Sequence, residues 1–228
     1  MLILALESSA KPGSCAVLSD EELLGQYFQN NGLTHSRTLL SMTESLIKNL
    51  ELDIADIDLI AVSRGPGSFT GVRIGVSAAK GLAWGIDKPV CGVSTLEAIA
   101  YGIPQHGAIL CPVMDARRGQ VYNALFEFKD GKPVRLCEDR AISLQDFASE
   151  LRELNQPCIL SGDGAEISFD YLSGVDVRCD MAPVPMRRQT AYGVALAASN
   201  AVPIPAVELE PSYLRPSQAE RERMENER

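Results

Sequence analysis

Histidine is scarce in this chain of 228 residues. Only His35 and His106 occur, and neither has a second histidine or a cysteine at metal-ligand spacing. A histidine-based metal centre therefore has no ligand set to draw on, and a Ser-His-Asp or Cys-His relay has almost nothing to be built from. Both histidines read as structural or exposed side chains. Cysteine pairs are missing as well. The six cysteines, at 15, 91, 111, 137, 158 and 179, never form a C-x-x-C motif, which leaves a zinc ribbon or a thioredoxin-type centre without support. Their apolar surroundings fit buried free thiols. No apolar run approaches the length of a membrane span. The start, Met1-Leu2-Ile3-Leu4-Ala5-Leu6-Glu7, lacks a basic leader and is too short for a signal peptide, so it reads as a first strand. A cytoplasmic protein that does not touch membranes is expected.

Positive charge is also in short supply. The formal net charge is −9, and such a chain repels a phosphate backbone. The pairs Arg117-Arg118 and Arg187-Arg188 are too few and too scattered for a nucleic-acid footprint of their own. If the protein serves a nucleic-acid process, another molecule holds the nucleic acid. At 46% hydrophobic and 22% charged residues the chain is ordinary for a globular protein, long enough for one sizeable core or two small ones.

What the chain does have is glycine in an informative place. The apolar run Leu59-Ile60-Ala61-Val62 reads as a buried strand, broken by Gly65-Pro66-Gly67. A helix follows to about Gly85, with Thr70 as its expected cap. It carries internal glycines at 75 and 81, each costing about 1 kcal/mol relative to alanine. Gly71, Gly75 and Ala79 recur at steps of four, which predicts a tightly packed face. That face serves either helix-on-sheet packing or docking of another helix, with equal weight.

Strand and helix patterns alternate through the first hundred residues. Residues 2–6 and 15–18 flank a polar turn and read as a hairpin, with a third strand over 23–29. A helix opened by Thr34 carries an apolar stripe through Leu39, Met42, Leu46 and Leu50. Short strand 89–93 and helix 95–101 follow. A boundary is placed at 102–107, giving an N-terminal lobe over 1–102 and a smaller C-terminal lobe over 103–228. Beyond it, strands are expected over 108–113, 120–128 and 133–142, with Asp130-Gly131 as a hairpin turn. Then come a helix from Ser143 to about 154, a strand at 158–160 and a helix over 190–200 that returns to the first lobe. Residues 217–228 form a charged helix or tail. The pattern is α/β with two related lobes.

Several dispersed motifs, in order, identify a family. Ile3-Leu4-Ala5-Leu6-Glu7-Ser8-Ser9, Gly65-Pro66-Gly67-Ser68-Phe69-Thr70-Gly71-Val72-Arg73-Ile74-Gly75, Ser94-Thr95-Leu96-Glu97, Met114-Asp115-Ala116-Arg117-Arg118-Gly119-Gln120-Val121-Tyr122 and Pro211-Ser212-Tyr213-Leu214-Arg215 together resemble the bacterial TsaB (YeaZ-type) family. The resemblance covers most of the chain. It implies an actin/Hsp70/sugar-kinase-like fold of two ribonuclease-H-like lobes, and kinship to TsaD, the catalytic subunit for threonylcarbamoyladenosine on tRNA. Where TsaD carries metal-binding histidines, this sequence has Thr95 and Ile99, and isoleucine offers no ligand atom. The resemblance therefore implies a non-catalytic scaffold with no metal site and no catalytic residue of its own. It pairs with TsaD and TsaE for threonylcarbamoyl transfer beside the tRNA anticodon, or with itself as a homodimer, and meets tRNA only through the complex. The rival reading is a stand-alone metallopeptidase-like or nucleotide-hydrolysing enzyme of the same fold.

Two sets of site residues follow. The partner interface is assigned to Leu39, Met42, Leu46, Leu50, Gly71, Arg73, Gly75 and Ala79, with Arg73 and Lys80 as rim charges. On that assignment Gly75→Leu abolishes pairing and leaves the monomer folded. A degenerate nucleotide cleft is assigned to Glu7, Ser8, Ser9, Gly162, Asp163 and Gly164. In this fold an aspartate ends the first strand, and here Glu7 stands instead. Ser8, Ser9 and Ser14 can donate hydrogen bonds to a phosphate, weighed against a plain polar turn between two strands, which is the favoured reading. No tightly held cofactor is expected, only weak nucleotide binding in that cleft or at a subunit interface. For Asp115 to Tyr122 a contact to a partner or a phosphate is weighed against a simple hairpin, and a structural or interface role is favoured.

Overall fold

The computed structural model describes residues 1–104 and 107–215. The expectations for His106 and for residues 217–228 lie outside these residues. Three strands open the chain, β1 (Leu2–Glu7), β2 (Gly13–Ser19) and β3 (Glu22–Gln29), paired as an antiparallel meander. Helix α1 (His35–Asn49) leads to β4 (Leu59–Ser63), α2 (Phe69–Ile86), β5 (Val90–Val93) and α3 (Thr95–Tyr101). The two later strands add in parallel beside β1, giving the order β3-β2-β1-β4-β5.

The second half repeats the plan. Strands β6 (Ile109–Arg117), β7 (Gln120–Asn123), β8 (Phe126–Lys129), β9 (Lys132–Arg135) and β10 (Arg140–Ser143) precede α4 (Leu144–Leu154), β11 (Cys158–Ser161), α5 (Ala165–Gly174) and β12 (Asp180–Met181). The sheet path is β10-β7-β6-β11-β12, with β6, β11 and β12 parallel and β8–β9 attached to β6. Helix α6 (Ala191–Ala198) closes the described helices.

Alternation along β1 explains how the first sheet is buried on both faces. Leu4 and Leu6 point toward α1 and α2, joining Leu39, Leu46, Val72 and Val76. Ile3 and Ala5 point the other way, toward Ala191, Val194 and Ala195 of α6. An alanine-rich α6 suits this place because small side chains let a helix lie close on a sheet. Helix α3 joins the halves: its Leu96, Ile99 and Ala100 pack with Leu110, Met114 and Phe126 of the second sheet. Past α6 the chain returns to the first half, where Ile204 bridges Val90 and Val207, Leu209 and Tyr213 meet Lys80 and Arg73, so this segment packs on the first half rather than the second.

Local chemistry sets several boundaries differently from expectation. Ser68, not Thr70, caps α2, its hydroxyl accepting the Gly71 N–H at 3.3 Å. The anticipated strands 120–128 and 133–142 are each split, because the chain switches partners from β6 and β7 to the β8–β9 hairpin and back. Helix α5 was hidden by its mixed surface, with Ile167 and Tyr171 exposed on it.

Candidate functional site

The turn after β1 is closed rather than open. Glu7, Ser8 and Ser9 have no solvent exposure. Ser8 Oγ donates to the Gly71 carbonyl at 2.9 Å, the Ser68 N–H donates to the Ser9 carbonyl at 2.6 Å, and His35 Nε2 donates to the Ala10 carbonyl at 2.8 Å. Helices α1 and α2 thus hold the turn from two sides. The Glu7 carboxylate accepts the Ser9 N–H at 2.5 Å through one oxygen, while the other finds no partner. Burial pushes the Glu7 carboxyl above its ordinary value, and nearby serine groups offset this only in part. Glu7 and Ser8 are therefore corrected from cleft ligands to packing elements beneath the cleft. Ser14 is spent likewise, accepting the Ala191 N–H at 2.7 Å.

A cavity of about 600 Å3 does lie between the halves, and of the six cleft residues Ser9 and Asp163 border it. Asp163 accepts from Gln189 Nε2 at 2.9 Å, and burial raises its pKa. Gly162 and Gly164 serve close packing. A Cβ at Gly162 would stand 2.1 Å from the Val113 carbonyl oxygen, and one at Gly164 would stand 2.8 Å from the Met114 carbonyl carbon. These glycines let α5 begin directly against β6. Thr95 and Ile99 both lie in the interior, and Ile99 Cδ1 rests 3.3 Å from where a Gly162 side chain would begin. Among the described residues no three of His, Cys, Asp and Glu converge on a common ion position.

The small-residue face of α2 turns inward. A Cβ on Gly71 would fall 2.1 Å from the Ser8 carbonyl oxygen, and the Cβ that Gly75 lacks would fall 2.4 Å from Ser8 Oγ. Ala79 has no exposure, and Leu39 and Leu46 are core residues. Met42 and Leu50 pack partly into the same core. Of the eight interface candidates only Arg73 is openly exposed, so the assignment is corrected: most of that set builds the monomer. Gly75→Leu would break the fold itself, because its side chain runs into the β1–β2 turn.

The neighbouring face is the open one. A groove of about 630 Å3 runs between α1 and α2, with Leu39 at its base and Leu40, Ile74 and Ala78 along its walls. Leu40 is 51% exposed, whereas Leu39 beside it is buried. Further along α2, Ser77, Gly81 and Gly85 are exposed at steps of four, and Trp84 beside them is 67% exposed. This repeat was legible in the sequence one face away from the one chosen.

The C-terminal stretch borders the cavity between the halves through residues 212–215. Tyr213 stacks on Phe69 with ring centroids 4.7 Å apart, the Arg73 guanidinium lies 3.9 Å over the Phe69 ring, and Arg73 Nε donates to Tyr213 Oη at 2.9 Å. Lys80 is no rim charge, since its ammonium donates to the Val207 and Leu209 carbonyls at 3.1 Å each. Ser212 N–H donates to the Arg64 carbonyl at 2.6 Å, and Gly65 admits this approach because a Cβ there would meet Ser212 O at 2.2 Å. No local sequence signal announces pairings made across 140 positions.

Comparison with known proteins places these features in context. A family model described as TsaD, tRNA N6-adenosine threonylcarbamoyltransferase, matches residues 29–178. The tRNA threonylcarbamoyladenosine biosynthesis protein TsaB of Bacillus subtilis is 33% identical over 175 residues, covering 77% of this chain and 76% of that one. TsaB of Escherichia coli is 37% identical over 129 residues, covering 56% and 55%, so that match spans about half of each chain. A crystal structure from Pseudomonas aeruginosa, of a protein described by its similarity to peptidase YEAZ, superposes with a TM-score of 0.80. It is 24% identical, covering 94% of this chain and 99% of the other. That likeness concerns the fold.

Proposed function

This chain belongs to the TsaB family, with the actin/Hsp70/sugar-kinase-like fold of that family, and from this premise we propose that it is the non-catalytic partner of TsaD in making threonylcarbamoyladenosine on tRNA. The observation that carries the reading is the groove between α1 and α2. It is apolar, uncovered and bordered by a helix whose outer face is Ser77, Gly81 and Gly85. Two packed helices with such a face can seat two more, since small residues let helix axes approach while Leu40 and Ile74 supply anchors. A related pair of helices on TsaD is the proposed occupant. A second copy of this chain presents the same face, so a homodimer competes with the heterodimer. TsaE joins the TsaD-bearing complex, and a separate synthase supplies the threonylcarbamoyl-adenylate donor.

The enzymatic alternative gains no support from these residues. Thr95 and Ile99 are built into the core, and Glu7 is fully enclosed with one oxygen taken by the Ser9 N–H. The contribution of the chain is then to hold TsaD in its active arrangement. Reconstitution tests this directly. With TsaD, TsaE, ATP, the donor synthase with its substrates and unmodified tRNA, modification read by mass spectrometry is expected only when this chain is present. Modification by this chain without TsaD, or an equal rate in its absence, would contradict the reading.

A further inference from the structure

The tip of the β6–β7 hairpin holds arginines where backbone conformation disfavours them. Arg117, Arg118 and Gly119 all have left-handed backbones, with φ of +66°, +56° and +71°. A two-residue turn of this kind is ordinarily Asn-Gly or Asp-Gly, because other L side chains crowd the backbone there. The preceding residues fix the tip in place. The pairing register shifts between Asp115 and Arg117, and the Asp115 carboxylate accepts the Arg117 N–H at 2.7 Å. Arg117 also faces Asp115 at 3.3 Å, yet its side chain is 84% exposed. Arg118 is exposed too. Arg215 arrives from the C-terminal stretch and donates to the Ala116 carbonyl at 3.0 Å. Lys11, on the first half, borders the same cavity mouth as Arg117 and Arg215. Lys11, Arg117 and Arg215 thus line one cavity, with Arg118 next to Arg117 at the hairpin tip, in a chain whose net charge is −9.

We propose that the Arg117–Arg118 tip, with Arg215 and Lys11 beside it, contacts the phosphate backbone of tRNA in the assembled complex. This rests on the functional reading above and deepens it by naming where this subunit meets the RNA. Exposed guanidinium groups on a fixed hairpin suit an extended polyanion outside the cavity, whereas a small phosphate ligand would need enclosing groups. Arginine pairs with phosphate oxygens through its planar fork, which explains why the tip keeps two arginines at a conformational cost. The contact carries no base specificity. On a chain this acidic the patch is too small to hold RNA unaided, so it acts only when TsaD supplies the rest of the surface.

The test is tRNA binding to the complex of this chain with TsaD, followed by fluorescence anisotropy from about 50 to about 200 mM salt. With Arg117→Ala and Arg118→Asn together, affinity is expected to fall about tenfold, and the slope of log K against log salt to become shallower by about 1 to 2. Asn suits the left-handed position, so the melting temperature of the variant chain should not drop. Arg117→Lys with Arg118→Lys should keep the salt slope, because the charges remain. Unchanged affinity and slope in the first variant, with wild type binding normally, would overturn this inference alone. A loss of affinity that accompanies loss of TsaD in sedimentation would also overturn it, assigning the tip to a protein contact. A wild-type complex that fails to form would bring down the functional reading and this inference together.

Discussion

At Glu7 a carboxyl group sits where no water reaches it, with one oxygen on the Ser9 N–H and the other unpaired. Burial holds its folded-state pKa above the ordinary value of 4.5, so the folded chain binds a proton more readily there than the unfolded chain does. Stability from this group is therefore complete below about that value and declines as pH rises toward the folded pKa. Glu7→Gln keeps the shape and removes the ionisation. The variant should match wild type near pH 4 and become progressively more stable than it toward neutral pH, with melting temperature against pH as the readout. A difference that stays constant across that range would show that Glu7 is not titrating between the two states. The serines around it follow the same economy of space. Ser8 and Ser9 carry the sequence pattern of a phosphate-facing turn, but their exposure depends on how closely α2 approaches. The absent side chains of Gly71 and Gly75 make that approach close enough to bury Ser8, and that of Gly67 does the same at Ser9.

Among the elements, α2 was the most legible in sequence and the easiest to misorient. The break at Gly65–Gly67, the helix beyond it and the inward packing of small residues follow from residue type alone. Which face meets a partner does not, because Gly71, Gly75 and Ala79 and the set Ser77, Gly81 and Gly85 have the same four-residue period. The sheet decides between them by covering one. Strand order and the return of α6 were within reach of patterning, since an alanine-rich helix has to be buried somewhere. The strap after Ile204 was not, for its bonds to Arg64, Arg73 and Lys80 join distant parts of the chain. Its anchor is Tyr213, held by Phe69 and Arg73. Tyr213→Ala should cost about 1 to 2 kcal/mol from the lost ring stacking and guanidinium contact. Hydrogen exchange at the Ser212 amide should quicken in the same variant. Unaltered exchange at Ser212 would mean that the strap is fastened elsewhere.

For the whole molecule, the two halves share a plan but not a fate. Their cleft survives as a cavity of about 600 Å3, while the residues that end β1 and begin α5 have become packing. Outside the cleft an apolar groove stays open between α1 and α2, and that groove is the physical case for a partner subunit. It also explains why composition could exclude so much and identify so little: charge, cysteine and histidine content constrain chemistry, whereas a docking face is ordinary helix surface left bare. The most direct measurement is sedimentation velocity of this chain mixed with TsaD from the same organism, using wild type and a Leu40→Glu, Ala78→Arg double variant. The account predicts a 1:1 complex for wild type and separate species for the variant, whose melting temperature stays close to wild type because neither side chain is fully buried. A complex of undiminished affinity in the variant, or none with wild type, would contradict it.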